Sequence, residues 1–196
     1  MHKEKYRLEM NFKDLLSEKK SAIVKKWFDS ILNNYPADTS NFLKKQKDGF
    51  LNPVGHTIYQ SIDGLFDEIL HGADFEKVYP YLNDILKIKA VQDFSPSKAL
   101  SFIFLLKQVI RKELESDIAK NRFSEELKTF ESQLDNLALL SFDLYMNHRE
   151  KIFEIRVNEI KNMTSRLLKR ANLIYEIQEQ ASDSETETVL TKNIKG

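Results

Sequence analysis

The chain has 196 residues, 41% of them hydrophobic and 31% charged, with 30 Lys+Arg balanced by 30 Asp+Glu. A net charge of zero supplies no basic field to attract nucleic acid and no acidic excess of the kind found in solvating chains. The absence of cysteine excludes disulfides, thiolate nucleophiles and Cys-based zinc sites. With only 5 Gly and 4 Pro, the chain lacks the frequent breakers of an all-β fold.

Residues 1–11 are polar and charged and read as a flexible N-terminus, not a signal peptide. The most apolar stretch, Ala99 to Leu106, is broken by Lys107 and is too short to span a bilayer. A cytoplasmic location without membrane insertion is therefore expected.

The first helical pattern runs from about Phe12 to Asn33, with Leu15, Leu16, Ile23, Trp27, Ile31 and Leu32 on its apolar face. It stops before Tyr35-Pro36, because proline disfavours helix at the residue before it. A short helix is predicted from Asn41 to Lys47, breaking at Asp48-Gly49. Asn52-Pro53 then reads as an N-cap followed by proline at the first helical position. That helix carries Ile58, Ile62, Leu65, Phe66 and Ile69 and ends at His71-Gly72. Pro80 is expected to open the next helix, which runs to Val91. Ser95-Pro96 repeats the cap-and-proline device before Leu100, Phe102, Ile103, Phe104, Leu105 and Leu106, a stretch apolar enough to be the central buried helix.

Every Gly and Pro except the terminal Gly196 lies at or before Pro96, so the second half is free to run in long helices. Ser124 is a candidate cap for the last one. Leu127, Phe130, Leu134, Leu137, Leu140 and Leu144 continue a core face. Beyond about His148 the pattern narrows to Phe153, Val157, Ile160, Thr164, Leu167, Ala171 and Ile174, spaced alternately by three and four. That is a coiled-coil seam over 151–180. Residues 181–196 are Ser, Thr, Glu and Lys with little to bury, and read as a disordered tail.

Two segments carry a family resemblance: Gln46-Lys47-Asp48-Gly49-Phe50-Leu51-Asn52-Pro53-Val54-Gly55, and Lys89-Ala90-Val91-Gln92-Asp93-Phe94-Ser95-Pro96-Ser97-Lys98-Ala99-Leu100. With Ile23 to Tyr35-Pro36 upstream, they resemble the RsbRD N-terminal domain, the sensor of RsbR-type stress regulators, over about residues 12 to 145. The resemblance implies an all-α, globin-like, haem-free helical bundle in a regulatory role. RsbR-type proteins carry a STAS domain after the sensor. Here the residues that follow read as helix and tail, with no strand pattern for one.

The expected architecture is therefore a globin-like helical bundle over 12–150 with a long C-terminal helix. The expected function is non-enzymatic signalling through protein partners, as a homodimer paired along Phe153, Val157, Ile160, Leu167 and Ile174. Gln46, Asp48, Phe50, Asn52, Pro53, Gln92, Asp93, Phe94, Ser95 and Pro96 are the candidate site residues. Their first reading is structural: Asn52 and Ser95 cap helices, and Gln46, Asp48, Gln92 and Asp93 tie the two corners together. Their second reading is a shared ligand or partner surface with a small-molecule pocket.

A ligand-free adaptor and a haem-binding globin-like sensor are the alternatives. Haem needs an imidazole facing a pocket, and none of His2, His56, His71 and His148 lies on a clearly apolar face. No cofactor is expected. His148-Arg149-Glu150 as a phosphoacceptor lacks any nucleotide-binding loop to serve it. No P-loop, Rossmann fingerprint, His-Glu-x-x-His or nucleophile elbow is present. Arg166, Lys169 and Arg170 read as a solvated flank of the seam.

Overall fold

The computed structural model describes residues 11–44, 49–118 and 123–170. Among them the fold is all-α, with no strand. The helices are α1 (Phe12–Glu18), α2 (Lys20–Leu32), α3 (Ala37–Leu43), α4 (Pro53–Leu70), α5 (Phe75–Val91), α6 (Pro96–Glu113), α7 (Glu115–Ile118) and α8 (Ser124–Arg170). Two units divide the chain, residues 1–154 and residues 155–196.

In the first unit, one continuous core takes the apolar face of every long helix. The largest fully buried side chain is Trp27 of α2. Its ring stacks on Phe102 of α6, with centroids 6.3 Å apart. Its indole N–H donates to the Phe102 carbonyl at 2.6 Å, which satisfies the polar edge of a buried aromatic. Helices α4 and α5 pack closely because Gly64 has no side chain. A Cβ there would stand 2.4 Å from the Tyr81 ring. Lys107 with Asp135 and Arg111 with Glu131 tie α6 to α8 along their exposed edges, and set the two helices antiparallel.

Several expected boundaries shift. The first pattern splits at Lys19, which is the C-cap of α1 and the N-cap of α2. Its ammonium reaches across the fold to the Glu113 carbonyl at 2.5 Å, a contact no local pattern encodes. The short helix begins earlier than predicted, at Ala37 just after Pro36, and ends at Leu43. Pro80 does not open α5. Asp74 does, its carboxylate accepting from the Glu76 N–H at 3.2 Å, and Pro80 sits inside the helix. The missing N–H removes one hydrogen bond near the start, which the buried face of Val78, Leu82, Ile85 and Leu86 offsets.

Helix α6 is buried along Ala99, Phe102, Ile103, Leu106 and Ile110, but Phe104 is exposed, so the helix is covered on one side only. Ser124 lies within α8. The residue before that helix, Phe123, takes φ 63°, and its carbonyl accepts from the Leu127 N–H at 2.9 Å.

Helix α8 spans 47 residues, roughly 70 Å at ~1.5 Å per residue. Leu127, Phe130, Leu134, Leu137, Ala138, Leu144 and Tyr145 are buried in the core. In the second unit the helix continues from Ile155 to Arg170, and its side chains are exposed or half-buried throughout.

Candidate functional site

The first corner joins α3 to α4 and is built on one side chain. The Asn52 carbonyl oxygen accepts from the Gly55 N–H at 2.9 Å, capping α4. Its amide nitrogen donates to the carbonyls of Phe42 at 3.1 Å and Leu43 at 3.0 Å, terminating α3. One buried amide thus satisfies backbone groups at both helix ends, which would otherwise be left without partners. Gly55 makes the approach possible, since a Cβ there would stand 2.4 Å from the Leu43 carbonyl oxygen. Pro53 occupies the first helical position. Phe50 does not shelter a pocket and is 93% exposed. Gln46 and Asp48 lie outside the described residues.

The second corner joins α5 to α6 and is built around a buried cation. Lys89 follows Leu82, Ile85 and Leu86 at helical spacing and is 1% exposed. Its ammonium donates to the Tyr35 hydroxyl at 3.0 Å. It also lies 4.3 Å from the Tyr35 ring centroid and 4.2 Å from that of Phe94. Two aromatic faces and a hydroxyl replace the usual carboxylate. Burial brings the Lys89 ammonium down to about 8. Burial also pushes the Tyr35 phenol well above its ordinary value.

Around this pair, the Tyr35 hydroxyl donates to the Gln92 side-chain oxygen at 2.8 Å. Asp93 takes φ 60° and pairs with Arg149, which also donates to the Ala90 carbonyl at 3.2 Å. The Tyr145 hydroxyl donates to the Phe94 carbonyl. Gln92 and Asp93 therefore fasten this corner to α8 and to Tyr35, just beyond α2, instead of to the first corner. Ser95 holds the N-cap position, but its hydroxyl caps no backbone N–H and faces Ser97 Oγ at 3.3 Å. Pro96 opens α6.

The two motifs do share one surface. A groove of about 440 Å³ runs between the start of α4 and the end of α5, with Pro53 and Gln92 both in its lining. Val54, Thr57, Ile88 and Val91 form most of its floor, and Asp84 and Lys87 its charged edge. Phe50, Asp93, Phe94 and Ser95 do not line it. A larger apolar cavity of about 560 Å³, between Phe12, Ile69, Leu70 and Phe130, contains none of the motif residues.

Lys89, Tyr35, Tyr145 and Arg149 were not among the expected site residues. The spacing of Lys89 from Leu82, Ile85 and Leu86 was the available signal.

Three of the four histidines are described. His71 is exposed, its Nδ1 2.7 Å from the Asp67 carbonyl. His56 and His148 are half-buried. His148 is held below its ordinary value by burial, then by the charges of Lys151 and Lys87. Among the described residues no group of three or more His, Asp or Glu is placed to hold a metal ion, and no helix is long and apolar enough to cross a membrane.

Of the seam residues, Phe153 (68%), Ile160 (63%) and Leu167 (60%) are exposed and Val157 is half-buried. Ile155 and Met163 are exposed as well. Ile174 lies outside the described residues.

Residues 21–160 match the family of the RsbT co-antagonist protein rsbRD N-terminal domain, well over half of the chain. The chain belongs to this family. Membership in the RsbRD N-terminal family makes it a regulatory sensor-type domain of a stress-response pathway. The matched segment contains both corners, the Lys89 cage and the first part of the exposed stripe on α8. No curated protein and no solved structure matches the chain.

Proposed function

We propose that this RsbRD N-terminal domain is a non-enzymatic cytoplasmic input module that signals by protein–protein contact. Its functional divisions are a sensor bundle over 12–150 and a pairing helix over 151–180. The carrying observation is that α8 is one helix with two kinds of apolar face. Up to Tyr145 one apolar face, with Leu127, Phe130, Leu134, Leu137, Leu144 and Tyr145, is buried in the core; from Phe153 the apolar side chains at heptad-like spacing are exposed or half-buried. Exposed large apolar residues in a row mark an interaction site, and the alternation of three and four suits a second helix of the same kind. The partner is a second copy of this chain.

Signalling then amounts to a change in how two such helices pair. Two packings of one helix pair can differ by a few kcal/mol, within reach of modest ligand binding. The motif residues act as fasteners for the two corners and fix the bundle from which α8 begins.

Light scattering on the full chain tests the pairing. The expected mass is that of a dimer, falling to that of a monomer in a triple variant, Phe153→Glu, Ile160→Glu and Leu167→Glu. A wild-type chain that is monomeric at tens of micromolar would refute self-association.

A further inference from the structure

Helix α5 ends in a turn of the Schellman type. The Asp93 N–H donates to the Ala90 carbonyl at 3.2 Å, and the Phe94 N–H reaches back to the Lys89 carbonyl at 3.2 Å. Asp93 holds the left-handed position, φ 60°, where glycine is usual. An apolar contact between the two outer residues frequently closes such a turn. Here those residues are Lys89 and Phe94, and the contact is an ammonium 4.2 Å from a ring centroid. The helix terminus is thus closed by a group that can gain or lose a proton.

The same turn holds α8. The Ala90 carbonyl accepts from Arg149 at 3.2 Å, the Phe94 carbonyl accepts from the Tyr145 hydroxyl, and Asp93 pairs with Arg149. These acceptors keep their places only while the turn is formed. Opening it frees Tyr145 and Arg149 together.

In the closed turn Lys89 is fully buried, and burial opposes its charge. In an opened turn the ammonium meets water and that opposition vanishes. Protonation therefore favours opening, and closure gains as pH rises from about 8 toward 10.5. Of the other ionisable groups at the corner, Tyr35 and Tyr145 are held above the ordinary phenol value by burial and stay neutral while Lys89 titrates. His148, on α8, is held below its ordinary value and titrates at lower pH. Arg149 and Asp93 pair with each other, and Lys87 on α5 is exposed. The start of α4 brings Pro53, Val54 and Thr57 to the end of α5, none of them charged.

We propose that the α5–α6 corner is a proton-operated latch on α8: the Lys89 amine, when uncharged, shuts the turn onto Tyr145 and Arg149, and when charged lets it open. The latch concerns how α8 is held within the bundle and does not depend on self-association, which light scattering reads separately.

Hydrogen exchange of the full chain at pH 7, 8 and 9, corrected for the intrinsic rate, tests this. Peptides covering 89–95 and 143–152 should exchange together, and faster than those covering Trp27. Their opening should become about tenfold rarer from pH 7 to pH 9. Lys89→Met keeps the apolar stem and should lose the pH response in both segments. The Tyr145→Phe, Arg149→Gln double variant cuts the bonds to α8. There 143–152 should exchange several-fold faster without pH dependence, while 89–95 retains it.

A wild-type 143–152 segment that exchanges independently of pH, or a response that persists in Lys89→Met, overturns the latch. So does exchange of both segments at the rate of the Trp27 region, because the corner then opens only with the whole bundle.

Discussion

The Lys89 ammonium donates to the Tyr35 hydroxyl at 3.0 Å, in the core, with no carboxylate in the contact. This pairing sets the pH dependence of stability. Below about pH 8 Lys89 is charged in both folded and unfolded chains, and the folded state bears the full cost of burying the charge. Between about 8 and the ordinary 10.5 the folded chain has released its proton and the unfolded chain has not. Stability therefore rises across that window, by about 3 kcal/mol at ~1.36 kcal/mol per pKa unit. Above pH 10 the trend reverses, because the unfolded chain ionises its tyrosines while Tyr35 stays neutral in the fold. Urea unfolding at pH 7, 8, 9 and 10 checks this. Lys89→Met should abolish the rise; a flat profile in the wild type would contradict the buried-amine assignment.

The two proline-marked corners should respond very differently to substitution. Asn52→Ala strands two carbonyls and one N–H at two helix ends and is expected to cost about 2–3 kcal/mol. Asn52→Asp keeps the acceptor for Gly55 but turns a carboxylate toward the Phe42 and Leu43 carbonyls, and should cost at least as much. Ser95→Ala removes a hydroxyl that caps nothing and should stay within about 0.5 kcal/mol. Thermal melts of the three variants decide the matter; equal costs at Asn52 and Ser95 would contradict the observed bonding.

That contrast marks how far the sequence could be read. Asn-Pro and Ser-Pro look alike as strings, and both begin helices. Only the fold tells that the Asn52 side chain bonds both the preceding helix end and its own helix, while the Ser95 hydroxyl caps neither. Lys89 is hard to place from sequence because an ammonium is ordinarily solvated, although its position in the Leu82, Ile85, Leu86 series puts it on the inner face. The break at Lys19 and the interior position of Pro80 depend on groups remote from those residues or upstream of them, Glu113 for one and the Asp74 cap for the other. By contrast, the helical class, the Asn52-Pro53 start, the Gly72 stop and the exposed Phe153, Ile160 and Leu167 follow from periodicity and cap chemistry, which act locally. The groove is a different case, since it joins residues far apart in the chain, Pro53 to Thr57 on one side and Asp84 to Gln92 on the other.

Trp27 offers a direct readout of the core. Being the single tryptophan and fully buried, it should resist acrylamide quenching and shift to longer emission wavelength only on unfolding. Trp27→Phe retains the ring stacking but leaves the Phe102 carbonyl without its donor. The expected cost is about 1–3 kcal/mol, measured by urea unfolding followed by circular dichroism.

The stripe on α8 should separate association from folding. Phe153→Glu, Ile160→Glu or Leu167→Glu alone should leave the far-ultraviolet spectrum of the dilute protein unchanged and its stability within about 0.5 kcal/mol, since none of these side chains is in the core. Each should weaken self-association in sedimentation equilibrium. A single variant that unfolds the bundle would show that the stripe supports the fold itself.

The enclosure of Lys89 also makes that amine chemically silent. Acylating reagents should label the surface lysines of the native protein while passing over this one, and trypsin should spare the Lys89–Ala90 bond. Modification at that position would then count only the moments when this part of the bundle comes apart, giving the molecule a built-in tally of its own opening.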